Sequence, residues 1–401
     1  MKIKLLLFIL NSVTLVSLVQ SKLTLKQVVV LNRHSVRTPL SKNLNQVSPK
    51  AWPKWDDKPG VLSGKGARLA GYMGSYFAAW LKKEGVLPAK CPTEDDLYVY
   101  SNTLERTLVS AESFVKKGFP DCEITVHHSN PKVPDPLFTP VIHNTTSSFR
   151  EDALEEMQKV LNTFHLNEPY ELLTEILDYK KSKSCKVDKK CDLARDKNRK
   201  TITPGQKPGV AGPLKISSEV IDAFLMQHYE GFPTKDVAWG LLTDAKLWQT
   251  LVVLSRAYHN VTYNTTLVAK DVAEPLVKHI SSILLKDDNK PKVTLLVGHD
   301  ANLYTVFKTL QVRPYQLQKQ YEVTPIGSAI VLQKWRDDET KKRYFKISYV
   351  YQSTDQLRHS NILSLESPPQ IKTLELEECK VDKNGFCSWN DFKSYLSSLY
   401  P

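Results

Sequence analysis

The chain has 401 residues and a formal net charge of +12, and 41% of its residues are hydrophobic and 24% are charged. This composition excludes a globally disordered or collagen-like chain and supplies enough apolar side chains for a sizeable core. The length predicts one large domain or two coupled domains. The only apolar stretch near membrane-spanning length lies at the start, which excludes a polytopic membrane protein.

The first 21 residues have the pattern of a secretory signal peptide. Lys2 and Lys4 form a positive segment, residues 5–18 form an apolar segment, and Ser21 is a small residue of the kind that a signal peptidase favours. Cleavage after Ser21 predicts export to the periplasm, or secretion if the source is not Gram-negative. An uncleaved membrane anchor is the alternative, which is disfavoured because the apolar segment is short and interrupted.

Export gives the six cysteines a structural meaning. An even number of cysteines in an oxidising compartment predicts three disulfides, out of 15 possible pairings. Two of the predicted pairs are close in sequence and the third joins the remaining two cysteines: Cys185–Cys191, Cys379–Cys387 and Cys91–Cys122. The cysteines have no histidines at zinc-finger spacing, so a zinc site is not predicted.

The predicted elements begin with a β-branched run at 27–32 that is typical of a buried parallel strand. Farther along, the hydrophobic pattern predicts a helix at 63–81, a strand at 97–101, a helix at 103–114, a strand at 293–298, a helix at 302–310 and antiparallel strands at 329–335 and 345–351. Strands that alternate with helices predict an α/β fold, with a mixed central sheet flanked by helices on both faces.

The middle of the chain has a different pattern. Residues 140–290 are mainly helical in pattern, which predicts a smaller helical cap inserted into an α/β catalytic domain formed by 22–139 and 291–401. Residues 180–200 contain ten Lys or Arg and three Asp, a net charge of +7. We interpret this stretch as a solvated loop held by a disulfide, and the alternative is an electropositive rim that attracts anionic substrates.

Two arginines flank a histidine just after the first predicted strand, in the run Arg33-His34-Ser35-Val36-Arg37. Ligands of open α/β sheets bind at this edge, and arginine forks match phosphate oxygens. Their charge disfavours protonation of His34, and a neutral imidazole aimed at a bound phosphate is a nucleophile. The alternative is a surface histidine between two solvated arginines.

The strand predicted at 293–298 runs into His299 and Asp300. A bound anion would raise the pKa of Asp300 and nearby arginines would lower it; if the anion dominates, Asp300 can donate a proton to a leaving oxygen in mild acid. Asp300 could also be the N-cap of the next helix, and the two roles are compatible. Arg106, early in the helix after the second strand, is a candidate third phosphate clamp.

The combination is more informative than its parts, because three strand ends deliver chemical groups to one edge of the sheet. The set contains a nucleophile, an acid and anion-binding groups, and its chemistry requires neither a metal nor a cofactor. Its members are Arg33, His34, Arg37, Arg106, His299 and Asp300.

The motif Arg-His-x-x-Arg-x-Pro at 33–39, together with His-Asp at 299–300, resembles the histidine acid phosphatases. Within that family the chain is most similar to the bacterial periplasmic glucose-1-phosphatases, which are relatives of the bacterial phytases. The segments that carry the resemblance span nearly the whole chain after the signal peptide: 51–56 (AWPKWD), 98–106 (YVYSNTLER), 208–215 (PGVAGPLK), 229–233 (YEGFP), 237–240 (VAWG), 296–300 (LVGHD), 324–327 (TPIG) and 349–354 (YVYQST).

The resemblance implies a two-step hydrolysis of phosphomonoesters, in the family's fold of an α/β domain with a helical cap. His34 would attack phosphorus to form a phosphohistidine, Asp300 would protonate the leaving alcohol, and water would then release phosphate. The side chains that would hold the phosphate are Arg33, Arg37, Arg106 and His299.

Two residues depart from the family pattern. Ser35 stands where the family most often has glycine, and the family tolerates a small polar residue there. Lys207 stands where the glucose-1-phosphatases have a glutamate that lines the substrate pocket. A lysine reverses this charge, so Lys207, together with Lys42 and the basic stretch, favours more anionic substrates such as inositol polyphosphates.

The sequence therefore predicts a secreted, metal-independent acid phosphatase that hydrolyses sugar phosphates such as glucose-1-phosphate. One alternative is a phytase acting on inositol polyphosphates, and a remote one is a non-catalytic, secreted protein that binds phosphate esters. The expected partner is a small phosphomonoester. Despite a pI near 9.2, no nucleic-acid recognition module is recognisable, and no membrane contact is expected after signal cleavage.

Overall fold

A mixed sheet lies at the centre of the protein, whose computed structural model describes residues 23–189 and 191–400. The predicted signal peptide, residues 1–21, lies outside the described residues. Within them the strands are β1 (Leu23–Arg33), β2 (Leu97–Ser101), β3 (Val126–His127), β4 (Arg199–Thr201), β5 (Gly209–Ala211), β6 (Val293–Gly298), β7 (Ala329–Asp337), β8 (Arg343–Tyr351), β9 (Gln370–Thr373) and β10 (Cys387–Ser388).

The helices of the same residues surround this sheet or fill the middle of the chain. They are α1 (Leu44–Val47), α2 (Gly64–Lys83), α3 (Glu105–Gly118), α4 (Ser147–Asn162), α5 (Asn167–Leu177), α6 (Lys183–Asp188), α7 (Pro213–Glu230), α8 (Ala245–Tyr263), α9 (Thr266–Leu284), α10 (Asp300–Thr309), α11 (Thr354–His359) and α12 (Trp389–Ser398). Short 3-10 helices lie at Tyr179–Lys181 and Val237–Gly240.

The order of strands in the sheet is β10-β8-β7-β1-β6-β2-β3, with β9 also paired to β8. Strands β1, β6, β2 and β3 run parallel, and β7 and β8 add an antiparallel extension. The predicted mixed sheet with helices on both faces is confirmed. The strands predicted at 97–101 and 293–298 coincide with β2 and β6, whereas β1 begins earlier than expected because its pairing with β7 continues to Leu23.

Strand β1 is covered on both faces, which explains its unbroken apolar run. Val28 and Val30 pack into one hydrophobic core with α2 and α3. Val29 and Leu31 point to the opposite face and pack into a second core with α9 and α10. Since successive side chains of a strand alternate between faces, a strand buried on both sides must be apolar at consecutive positions.

A third hydrophobic core lies among the helices of the middle of the chain. Leu173 of α5, Phe224 of α7 and Leu254 of α8 are buried in it. Val36, which follows β1, belongs to the same core, so the helices pack directly on the loop that carries the Arg-His motif. Helix α9 joins the two regions, because Val268 and Val272 pack in this core whereas the rest of the helix packs on the sheet, through residues such as Leu276.

Three disulfides crosslink the described residues, and one of them, Cys379–Cys387, is buried in the core that contains α9 and α10. They are Cys91–Cys122, Cys185–Cys191 and Cys379–Cys387, which confirms the predicted pairing. Among the helices of the described residues, none is long and apolar enough to cross a membrane.

The first turn of α2 holds the loop that follows β1. Ser63 caps this helix by accepting a hydrogen bond from the Gly66 amide, while its own amide donates to the carbonyl of Val36. Gly66 lies so close to this loop that a Cβ atom there would be 1.9 Å from the Val36 oxygen. The helix and the loop can therefore meet in this way only if residue 66 lacks a side chain.

The substitution Gly66→Ala is expected to lower the free energy of unfolding by about 2 kcal/mol, because the Val36 backbone must move to admit the methyl group. Thermal denaturation measures the effect. Gly64→Ala is the matched control in the same turn, since the nearest atom to its new Cβ is 4.0 Å away. We expect this control to be neutral or slightly stabilising; equal losses in the two variants would show that the close contact is unimportant.

Candidate active site

The predicted site residues come together because β1 and β6 are parallel neighbours. Arg33 at the end of β1 pairs with Gly298 at the end of β6, and the amide of His34 donates to the Gly298 carbonyl at 3.0 Å. His299 and Asp300 follow Gly298 directly. The carboxyl ends of two adjacent strands therefore deliver both halves of the motif to one place, as open α/β sheets do.

These residues line a cavity of about 320 Å³ between the sheet edge and the helices of the middle of the chain. All six of the predicted chemical residues contribute to its wall. Side chains from α7 and α8 form the opposite wall, including Lys215, Glu219, Asp222, Tyr258 and His259. The cavity is thus built by both parts of the fold.

His34 is held as a neutral imidazole by its burial and by a hydrogen bond from its ring. Its side chain is buried, and its Nδ1 lies 2.9 Å from the carbonyl oxygen of Ser35, which can only accept a hydrogen bond. Nδ1 therefore carries the proton and Nε2 carries a lone pair. Burial, reinforced by the charges of Arg106 and Arg37, holds the pKa of His34 well below 6.5.

Two of the arginines are fixed by carboxylates. Arg33 contacts Asp300 at 3.1 Å and Glu322 at 3.0 Å, and Arg37 makes a two-pronged pair with Asp222 at 2.8 and 2.9 Å. Such pairs orient a buried guanidinium in one position. The two arginines are therefore preorganised before any ligand binds.

Arg106 is different, because among the described residues it has no carboxylate partner within ion-pair distance. Burial, together with the charge of Arg37, lowers its pKa to about 10. Its buried Nε has no hydrogen-bond partner in the described part of the chain. A partly buried cation without a counter-ion favours an anion in the cavity.

His299 is held in position by Asn102, the residue that follows β2. Its Nε2 lies 3.1 Å from Oδ1 of Asn102, which follows β2, and its ring meets that of His34 edge-on at 5.5 Å. Burial, and then the charge of Arg106, holds the pKa of His299 well below 6.5. The imidazole therefore donates to Asn102 through Nε2 in the free site.

Asp300 is the first residue of α10 and not its N-cap. The N-cap is His299, whose amide is bound at 2.9 Å by the side chain of Asn302, so the capping role considered for Asp300 is wrong. The helix begins two positions before the sequence predicts. Burial raises the pKa of the Asp300 carboxyl, but Arg33 and His259 outweigh it and hold this pKa well below its ordinary range.

A sequence model of the histidine phosphatase superfamily (branch 2) matches residues 24–350. The chain belongs to this superfamily. It is 42% identical to the glucose-1-phosphatase of Providencia rettgeri over 94% of this chain and 92% of that protein, and 42% identical to the glucose-1-phosphatase of Salmonella typhimurium over 97% of both. The match to phytase AppA of Escherichia coli is more distant, with 29% identity over 94% of this chain and 92% of the phytase.

The fold of this histidine phosphatase agrees with solved relatives. The phytase of Citrobacter braakii superposes with a TM-score of 0.86 and 27% identity, covering 95% of this chain and 98% of that one. The predicted family and fold are confirmed, and the chain is a phosphatase that hydrolyses phosphomonoesters.

The sequence interpretation missed the acidic partners of the arginines. Asp222 lies inside α7 and Glu322 lies in the loop before β7, so neither follows a strand end or belongs to a chemical motif. The general need of buried arginines for counter-charges predicts that such acids exist but not where they lie. His259 of α8, 3.6 Å from Asp300, was missed for the same reason.

The candidate selectivity residues occupy different positions. Lys207 lines the cavity and is exposed to solvent, and the cavity walls, followed by the charge of Arg106, lower its pKa. Lys42 is exposed next to Ser41, and it is not among the described residues that line the cavity. The described residues of the basic stretch 180–200 do not line the cavity either.

Proposed function

We propose that this histidine phosphatase is an exported acid phosphatase for sugar phosphates such as glucose-1-phosphate, with His34 as nucleophile and Asp300 as proton donor. The observation that carries the proposal is the neutral imidazole of His34, which has a lone pair on Nε2 and lines the cavity together with Arg37, Arg106 and Asp300. This arrangement suits nucleophilic attack on a bound phosphate.

In the first step, the phosphate of the substrate is held by Arg33, Arg37 and Arg106, and by His299, whose Nε2–H donates to a phosphate oxygen instead of to Asn102 once the substrate is bound. The Nε2 lone pair of His34 forms a bond to phosphorus while the bond from phosphorus to the leaving oxygen breaks. Asp300 gives its proton to that oxygen, which leaves as an alcohol. The arginine charges balance the negative charge on the transferring group throughout.

In the second step, a water oxygen bonds to phosphorus as the bond to Nε2 of His34 breaks. The Asp300 carboxylate, left without its proton by the first step, takes a proton from this water. Phosphate leaves, and both side chains return to their starting states. The same carboxyl thus acts first as acid and then as base.

The protonation of Asp300 depends on the substrate. In the free site, Arg33 and His259 keep the carboxyl ionised by lowering its pKa. A bound phosphate adds negative charge beside Asp300 and competes for Arg33, and both effects raise that pKa. We therefore expect the protonated, donating form to be populated mainly in the substrate complex and in mild acid.

The charges of the cavity favour a substrate with one phosphate group. Four carboxylates line the cavity, and they offset part of the positive charge of the arginines and of Lys215. Among the described residues that line the cavity, Arg106 and Lys207 are the cations that have no carboxylate within ion-pair distance. Their two positive charges balance one phosphate dianion. The relatives with 42% identity are glucose-1-phosphatases, which supports the same substrate class.

Lys207 is the observation that favours the phytase alternative. Replacing it with glutamate changes the local charge by two units, so Lys207→Glu is expected to raise the ratio of kcat/KM for glucose-1-phosphate to that for phytate by about tenfold. Lys42→Glu is the comparison, since Lys42 lies outside the cavity wall and should change the ratio less. An unchanged ratio in Lys207→Glu would remove this residue as a selectivity determinant.

The overall function is tested by phosphate release from glucose-1-phosphate and phytate, side by side, at about pH 5 with excess chelator, where a carboxyl acid can work. Faster release from glucose-1-phosphate supports the proposal. Faster release from phytate would favour the phytase alternative. A folded protein that releases phosphate from neither would support the non-catalytic binding protein.

We further propose that a helical cap is inserted into the catalytic domain after residue 139. The sequence places the end of this cap at residue 290, but most of α9 packs on the sheet, so we place the end near residue 265 and assign residues 266–401 to the catalytic domain together with 22–139. Export to the periplasm, through a signal peptide ending at Ser21, is part of the proposal. The three disulfides support it, since such bonds persist in oxidising compartments.

A further inference from the structure

His259 faces Asp300 from the helical side of the cavity. Its Nε2 lies 3.6 Å from Oδ2 of Asp300, which is ion-pair distance. Its ring is stacked on Tyr304 of α10, with the centroids 5.2 Å apart and the planes only 4° from parallel. The stacking and a hydrogen bond to its own helix hold the ring in place, so Nε2 stays beside the carboxyl.

The hydrogen bond made by the other ring nitrogen, Nδ1, determines whether Nε2 of a neutral His259 carries a proton or a lone pair. Nδ1 of His259 lies 2.8 Å from the carbonyl oxygen of Ser255, which only accepts hydrogen bonds. Nδ1 therefore carries a proton, and a neutral His259 would present a lone pair from Nε2 to the carboxyl. Two lone pairs that face each other repel, whereas a proton on Nε2 or on Oδ2 of Asp300 makes the contact attractive.

We propose that His259 and Asp300 share this proton, and that His259 is a positioning residue that keeps Asp300 supplied with the proton donated to the leaving group. The inference rests on the proposed role of Asp300 as proton donor. It explains how a carboxyl next to Arg33 can still act as an acid, because the proton is stored on the neighbouring imidazole until the substrate binds.

The proton balance is simple. In the free site, the proton is on Nε2 of His259 and Asp300 is a carboxylate. When the phosphate dianion binds, the proton moves to Oδ2 of Asp300 and then to the leaving oxygen as the phosphorus–oxygen bond breaks. In the second step, Asp300 takes a proton from the attacking water and returns it to Nε2, so no proton is gained or lost between His259 and Asp300 over a cycle.

The charged and titratable groups around His259 come from every element packed against it. Asp300 on α10 is the group that His259 contacts most directly, and Arg33 competes for the same carboxylate oxygen. The remaining groups are Tyr304 on α10, Tyr258, Tyr263 and Arg256 on α8, Lys215 on α7, which lies near Tyr258, and Glu322 in the loop before β7.

The pH dependence of kcat/KM for glucose-1-phosphate tests the inference in the full-length mature enzyme. His259→Gln keeps a hydrogen-bonding side chain but cannot store a proton. Asp300 must then be protonated from solvent, so the alkaline limb of the profile should move to lower pH by about one unit. Near neutral pH the variant should be about tenfold slower than the parent enzyme, and near pH 4 within about twofold.

Two comparisons separate this role from a structural one. His359→Gln removes an exposed histidine that pairs with Asp355 at 2.8 Å and is not among the described residues that line the cavity, and its profile should match the parent enzyme. The loss in His259→Gln should also be smaller for p-nitrophenyl phosphate, whose leaving group needs no proton. In an Asp300→Asn background, His259→Gln should have no further effect on the profile.

The outcomes distinguish this inference from the proposal on which it rests. An unchanged alkaline limb in His259→Gln, with Asp300→Asn still selective for poor leaving groups, would overturn the shared proton and keep Asp300 as donor. Equal losses on both substrates in Asp300→Asn would overturn the donor role itself. A uniform loss across all pH values in His259→Gln would show a structural role only, and would also overturn the inference.

Discussion

Replacing His34 with alanine is expected to abolish turnover, with kcat falling by at least about 10⁴-fold, the order of loss seen when other hydrolases lose their nucleophile. The structure gives the physical reason. Nε2 of His34 carries a lone pair, and the surrounding arginines and burial hold the pKa of the ring well below 6.5. The proposed nucleophile therefore stays neutral in acid, where proton donation by a carboxyl such as Asp300 is favoured.

Phosphate release measures this loss, and trapping the covalent intermediate identifies its cause. Radiolabelled substrate, quenched in alkali to preserve a phosphohistidine, should label the parent enzyme and leave His34→Ala unlabelled. His359→Ala serves as the control because His359 is exposed and lies outside the cavity. Retained labelling of the His34→Ala protein would assign the nucleophile to another residue.

Replacing Asp300 with asparagine is expected to lower kcat/KM for glucose-1-phosphate by about 10²- to 10⁴-fold, the usual contribution of a general acid. The loss for p-nitrophenyl phosphate should be less than about tenfold, because its phenolate leaves without a proton. This constant reports the step that forms the covalent intermediate, so the later role of Asp300 with water does not confuse the comparison. Asparagine preserves the shape of the side chain.

The control for this experiment concerns Arg33. Asp300→Asn removes one of the two carboxylates that hold this arginine, and Glu322 remains 3.0 Å away. Glu322→Gln removes the other and should weaken phosphate binding similarly for both substrates, without discrimination between leaving groups. If Asp300→Asn behaved in the same undiscriminating way, its effect would come from Arg33 and not from proton donation.

The sheet was predictable because its strands carry strong local signals. The runs at 97–101 and 293–298 are bounded by polar residues on both sides, and the structure ends β2 and β6 at those residues. The ends of β1 and the start of α10 were less predictable. Leu23 joins the sheet only through pairing with β7, and Asp300 becomes helical because His299 and Asn302 cap the turn. Both depend on partners that local patterns do not reveal.

The site divides in the same way. One half of the site lies at the ends of β1, β2 and β6, which are neighbours in the sheet. The motifs at 33–37 and 299–300 follow two of these strands, so the residues of this half were predictable from sequence. The other half of the site comes from the faces of α7 and α8. Asp222 and His259 lie inside these helices, and no sequence motif distinguishes them from other helical residues. Only the packing of these helices against the sheet edge makes them part of the cavity, and this packing has no local signature.

The position of β1 has a consequence for how the enzyme is made. This strand lies between β6 and β7, so the first strand of the chain gains both neighbours only after residues near 298 and 337 have been synthesised. Contacts so distant in sequence form late and slowly. A chain that ends before these residues therefore lacks the cavity at the ends of β1 and β6, and a newly made molecule cannot hydrolyse phosphomonoesters of the cell that produces it until residues near 337 have been synthesised and folded.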